Sequence, residues 1–101
     1  MSELDKLEQY LKENNIEYTR EDNEWRGVPL NTHQIIVFDK GSRIWDAVCH
    51  FGSYGHKEGL LEVMGEPVVK PNDGDSVCGF LTAKDVIERW EEFKRNGGRW
   101  I

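Results

Sequence analysis

The chain has little of what marks the more specialised protein chemistries. Cysteine occurs twice, as Cys49 and Cys78, 29 positions apart. Two thiols are too few for a disulfide scaffold, and Met1-Ser2-Glu3-Leu4-Asp5 is acidic rather than a charged-then-apolar export segment. The expectation is a cytoplasmic protein with two reduced thiols. No C-x2-C pair exists, and Asp73-Gly74-Asp75 lacks the twelve-residue calcium pattern with its closing Glu, so no metal and no cofactor is expected. The longest apolar runs, such as Ile35-Ile36-Val37-Phe38, fall far short of the roughly 20 residues of a membrane span. Bases are the minority, 13 against 19 acids, for a net charge of −6. That balance makes nucleic acid a poor partner, because phosphate binding rests on clustered cations.

What is present argues for a folded chain. Hydrophobic residues make up 38% and aromatics 11%, enough for a core despite 32% charged residues. A chain of 11.8 kDa buries about 65% of its unfolded surface. That corresponds to one domain spanning residues 1–101.

The spacing predicts a helix over 2–14. Ser2 caps it with Asp5 three residues on, Leu4, Leu7 and Leu11 share one stripe, and Asn14-Asn15 ends it. A short strand follows at 16–20. Residues 21–32 carry Gly27 and Pro29 and form a loop in which Trp25, Val28 and Leu30 act as a lid on the core or as a contact surface. The apolar run 34–38, the turn Asp39-Lys40-Gly41-Ser42 and the alternating stretch 43–51 make a hairpin. One face of 43–51 is Arg43, Trp45, Ala47, Cys49 and Phe51; the other is Ile44, Asp46, Val48 and His50. Strands near 60–64, 68–70 and 76–81 follow. Thr82 and Asp85 then start a second helix, with Ala83, Val86, Ile87, Trp90 and Phe93 on its apolar stripe. The expected fold is α+β: an N-terminal helix, a mostly antiparallel meander of about five strands, and a C-terminal helix, with both helices packed on one sheet face.

Three candidate sites emerge. The glycine-rich loop Gly52, Ser53, Tyr54, Gly55, His56, Lys57 can bring backbone amides, hydroxyls and positive charge around a small anion such as a nucleotide phosphate. It lacks the Lys-Ser/Thr ending of a phosphate loop and leads into a strand, so a plain hairpin connection competes with that reading. An acidic front, with eight acids against three bases between Glu3 and Glu24, can steer a basic protein. Its partner-surface residues are Glu8, Glu13 and Glu17, joined by Trp25 and, if their sheet face is uncovered, by Asp46 and His50. Such a patch also suits a homodimer. Cys49 and His50 point to opposite faces of one strand and cannot pair, although His33 or His56 can approach the thiol if a loop folds over. No nucleophile, base and orienter assemble from spacing alone, so no catalytic residue is assigned.

The stretch Ile44-Trp45-Asp46-Ala47-Val48-Cys49-His50-Phe51-Gly52-Ser53-Tyr54-Gly55, followed by Glu58-Gly59-Leu60-Leu61-Glu62, Asp73-Gly74-Asp75-Ser76-Val77 and Leu81-Thr82-Ala83-Lys84-Asp85-Val86-Ile87, resembles short proteins of Gram-positive gut bacteria and their prophages. No activity is assigned to those proteins, so the resemblance carries no site residues across. It implies a cytoplasmic setting on a mobile element, where small acidic proteins act by binding something, for instance a host protein. The sequence therefore leads to a non-enzymatic binding or regulatory protein acting through a surface. A binder of a small anionic ligand at loop 52–59 is the alternative, and a minimal cysteine-dependent enzyme is the third reading.

Overall fold

Each helix begins where its sequence offers a reciprocal cap. In the computed structural model, which describes residues 1–23 and 32–100, Glu3–Glu13 form α1. Ser2 Oγ accepts from the Asp5 amide while Asp5 accepts from the Ser2 amide. Ala83–Arg95 form α2 with the same exchange between Thr82 and Asp85. Between them lie β1 (Tyr18–Asn23), β2 (Thr32–Asp39), β3 (Ser42–Val48), β4 (Leu61–Met64) and β5 (Val77–Leu81). They pair antiparallel in the order β1-β2-β3-β4-β5. The fold is α+β, as expected. The lid or contact role given to Trp25 falls on segment 24–31, which lies outside the described residues, as does residue 101.

The core is one face of this sheet. Ile35 and Val37 of β2, Trp45 and Ala47 of β3, and Leu61 and Val63 of β4 are buried with Leu4, Leu7 and Leu11 of α1 and Ala83 and Val86 of α2. Period-2 alternation in the strands and the helical stripes meet here, and together they remove the apolar set from water. Two ties set the helices side by side and parallel. The Glu3 carboxylate accepts from the Ala83 amide at 2.7 Å, and the Tyr10 hydroxyl donates to Glu91. The first of these holds the Glu3 carboxyl below its ordinary range.

The β2–β3 turn stands where expected, on Asp39-Lys40-Gly41-Ser42, with Lys40 (φ 51°) and Gly41 (φ 79°) both left-handed, as a two-residue hairpin turn with right-handed twist requires. Several other expectations change. The first strand runs to Asn23, so residues 21–23 are strand and not loop; their partners in β2 carry the ladder to Thr32. Residues 68–70 form no strand. The Val68 and Val69 amides both donate to the Gly65 carbonyl, which winds the segment into a turn with Val68 in the core. Arg89 of α2 holds this connection, donating to the Val68 carbonyl (2.9 Å) and to Asp73 (2.7 and 3.3 Å).

The alternation read over 43–51 ends at Val48 and breaks at Ile44. Val37 pairs with Trp45 but Phe38 pairs with Arg43, so Ile44 is an extra residue in β3. It packs against the core, on the helix side, instead of beside Asp46. Phe51, placed on the core face by alternation, lies beyond the strand and is 53% exposed.

Leu7→Ala should lower the unfolding free energy by about 3 kcal/mol, because the side chain is fully buried between helix and sheet. Urea denaturation measures it, and a loss below about 1 kcal/mol would mean that α1 does not seal the core.

Candidate functional site

The loop 49–60 is built around its glycines. Gly55 (φ 95°) and Gly59 (φ 72°) flank a single 3-10 turn, His56–Glu58. A Cβ on Gly55 would lie 2.9 Å from Leu60 Cβ and 3.0 Å from Phe80 Cα, so only glycine admits this approach. The loop's amides bond largely within the structure. Ser53 donates to the His50 carbonyl, His56 to Ser53, Glu58 and Leu60 to Gly55, and Gly59 to His56. The Tyr54 amide donates to the Glu62 carboxylate at 3.1 Å. Those six N–H groups are engaged by oxygens of the protein itself, two of them by the Gly55 carbonyl. What the loop does present is aromatic surface.

Phe51 and Tyr54 are 53% and 57% exposed, and Phe80 from β5 joins them at 59%. The Tyr54 and Phe80 rings stack at 6.5 Å with 23° between planes, and Phe51 meets His56 edge-on at 6.0 Å. They border a hollow of about 300 Å³ with Lys57 and Glu58 on its rim.

Phe80 is there because β5 slips. Leu61 pairs with Leu81 and Val63 with Cys78, so Gly79 and Phe80 together oppose Glu62. Phe80 takes a left-handed backbone, φ 58°, and its amide donates to the Tyr54 carbonyl at 3.2 Å. Gly79 makes room, since a Cβ there would stand 2.2 Å from Tyr54 Cβ. A bulky residue at positive φ costs about 1 kcal/mol or more. The sequence reading missed Phe80. Its signal was Gly79 inside an apolar strand, which marks a bulge or a close backbone approach.

The partner-surface residues have local roles. Glu8 accepts from the Tyr18 hydroxyl (2.8 Å) and from Arg20 (3.1 Å). Glu13 is exposed beside Gln9, which donates to it. Glu17 accepts from the Gly41 amide and so steadies the β2–β3 turn. Asp46 is 7% exposed and ion-paired with Arg43. His50 closes the open end of the β2–β3 hairpin: its Nδ1 accepts from the His33 amide at 3.0 Å, while the Cys49 amide donates to the His33 carbonyl.

A second hollow, about 370 Å³, lies under the N-terminus of α1, with Arg20, Asp22, His33, Cys49 and His56 in its lining. Asp22 and His33 are cross-strand neighbours, 2.9 Å apart at Oδ1 and Nδ1, and this contact holds the Asp22 carboxyl low. Burial pushes the Cys49 thiol above its ordinary value, the opposite of what a thiolate nucleophile needs. Cys78 is shifted upward for the same reason. Among the described residues no group of three or more His, Cys, Asp or Glu is arranged to hold a metal ion, and no helix is long and apolar enough to cross a membrane. Comparison with protein-family models, curated proteins and solved structures finds no match.

Two measurements follow from these environments. Burial first, then the charge of His33, lowers the His50 pKa below 6.5, against opposing pulls from Asp46, Glu62 and Glu21. The unfolded chain therefore takes up this proton more readily than the folded one. The stabilisation is fully present above pH 6.5 and is lost as pH falls through the folded-state value. Thermal midpoints should decline with acidification in this window, ahead of the loss caused by Glu3, Asp5, Asp22 and Asp73, whose carboxyls are held low. His50→Asn, which keeps an acceptor near the Nδ1 position without titrating, should flatten the decline; an unchanged slope would assign it elsewhere. Alkylation of Cys49 by iodoacetamide at mildly alkaline pH should run about tenfold or more slower in the folded than in the unfolded chain. Equal or faster labelling in the folded state would reinstate an activated thiol.

Proposed function

We propose that the chain is a non-enzymatic binding protein whose aromatic platform, Phe51, Tyr54 and Phe80, docks on a protein partner. The observation that carries this reading is Phe80. Its ring is held in water by a backbone conformation that disfavours phenylalanine, stacked on a second exposed ring. Strain of that kind persists where the surrounding structure enforces it, and it gathers at functional sites. Rigid aromatic anchors around a hollow are the usual energetic centres of protein interfaces.

The net charge of −6 favours a partner with basic flanks, which long-range attraction would steer to the surface. The hollow of about 300 Å³ suits one large apolar anchor side chain from that partner. Engagement of the loop amides inside the loop favours this role over a cradle for a nucleotide-like anion. The resemblance to prophage-borne proteins would put the partner in a bacterial cytoplasm and make it a host protein.

Phe80→Gly separates binding from folding. Glycine accepts the left-handed backbone, so stability should hold or rise by up to about 1 kcal/mol. Peptides selected from a random displayed library on the wild-type protein should carry an apolar anchor between Lys or Arg residues. Their affinity for Phe80→Gly should fall at least about tenfold, about 1.4 kcal/mol. Selected peptides that bind both proteins equally would refute the platform. Self-association abolished by the same substitution would make the partner a second copy.

A further inference from the structure

The loop that carries the platform hangs on one imidazole. Where the β2–β3 ladder ends, the His33 amide donates to His50 Nδ1 at 3.0 Å. A backbone amide can only donate, so Nδ1 carries no proton and the ring is the neutral Nε2–H tautomer. On its other side His50 holds the loop. Its carbonyl accepts from the Ser53 amide at 3.0 Å and from Ser53 Oγ at 2.8 Å. Phe51 follows His50 directly, and Tyr54 follows Ser53.

Among the described residues, charged groups on four strands bear on this ring. The charge of His33 on β2 opposes its protonation, while Asp46 on β3, Glu62 on β4 and Glu21 on β1 favour it. Glu21, Gln34, Val48 and Glu62 form one row across the sheet. Asp46 is already paired with Arg43. Glu62 is the carboxylate that accepts from the Tyr54 amide at 3.1 Å.

We propose that His50 is a protonation latch for the aromatic platform. The neutral ring fixes loop 49–60 on β2. The imidazolium cannot accept from the His33 amide; it turns away and draws Glu62 off the Tyr54 amide. The platform then loses both anchors, and its partner is released in mild acid. This inference rests on the platform reading and adds the condition under which the partner is let go. The bond from the Cys49 amide to the His33 carbonyl has no titrating atom, so β3 stays paired and the change is confined to the loop.

The test titrates the free full chain from about pH 7.5 to about pH 5, where histidine changes charge, and follows it by nitrogen-15 NMR. The His50 ring should begin as the Nε2–H tautomer, and the His33, Ser53 and Tyr54 amide signals should move with its titration. Circular dichroism should show the fold intact at both ends. An Nδ1–H tautomer, or a His50 titration that leaves those amides in place, overturns the latch. Library-selected peptides without histidine should bind the wild type about fivefold or more weakly at the acid end, because affinity falls with the competent fraction. His50→Asn, which accepts without titrating, should lose that dependence. His56→Asn, altered at the loop's other histidine, should keep it. Equal pH dependence in His50→Asn and the wild type overturns the regulation. Failure to select any peptide at either pH refutes the platform and its regulation together, whereas the amide signals decide the latch by themselves.

Discussion

A single sheet with both helices on one face has to keep its side chains in strict alternation. Every added residue in a strand turns the following side chains to the other face. Among the described residues that rule is broken twice, at Ile44 in β3 and at Gly79-Phe80 in β5. Elsewhere the pairing is regular, and Ile35, Val37, Ala47 and Val63 stay fully buried beneath the helices. One break turns Ile44 inward against the core. The other turns Phe80 outward against Tyr54. The geometry of the sheet and the location of the aromatic platform are therefore one fact described twice.

The regular parts were legible because they follow local rules. Ser2 with Asp5 and Thr82 with Asp85 announce both helix starts, and Leu4, Leu7 and Leu11 announce the buried stripe. Asp39-Lys40-Gly41-Ser42 announces the tightest turn. The irregular parts depend on contacts far apart in sequence. Nothing next to Ile44 reveals that Phe38 pairs with Arg43, and nothing next to Phe80 reveals that Tyr54 stacks on it. The loop around Gly55 could be read as glycine-rich, but which groups its amides meet depends on Glu62 and on the fold of the loop itself. Val68 and Val69 resemble a strand in composition, yet the preceding Gly65 carbonyl captures their amides.

Charge follows the same division between local and distant. The acidic front is partly neutralised from within: Arg20 lies 2.8–3.1 Å from Asp5, Glu8 and Asp22. Each exposed pair contributes little alone, but a single guanidinium shared by three carboxylates orders the outer edge of β1 against α1. Arg89 plays the corresponding part at the other end of the sheet, where it and Asp73 are both largely buried. Glu13, Glu17 and Glu21 stay exposed on the same acidic front.

The bulge in β5 also bears on solubility. β5 is an edge strand, and an unpaired strand edge invites another chain to extend the sheet. Here the Phe80 amide is already bonded to the Tyr54 carbonyl, and the left-handed backbone bends the strand away from the flat geometry that stacking requires. The opposite edge, β1, carries Arg20, Glu21 and Asp22 in succession. The distortion that leaves an aromatic ring exposed thus also interrupts the edge along which uncontrolled strand-by-strand polymerisation would begin.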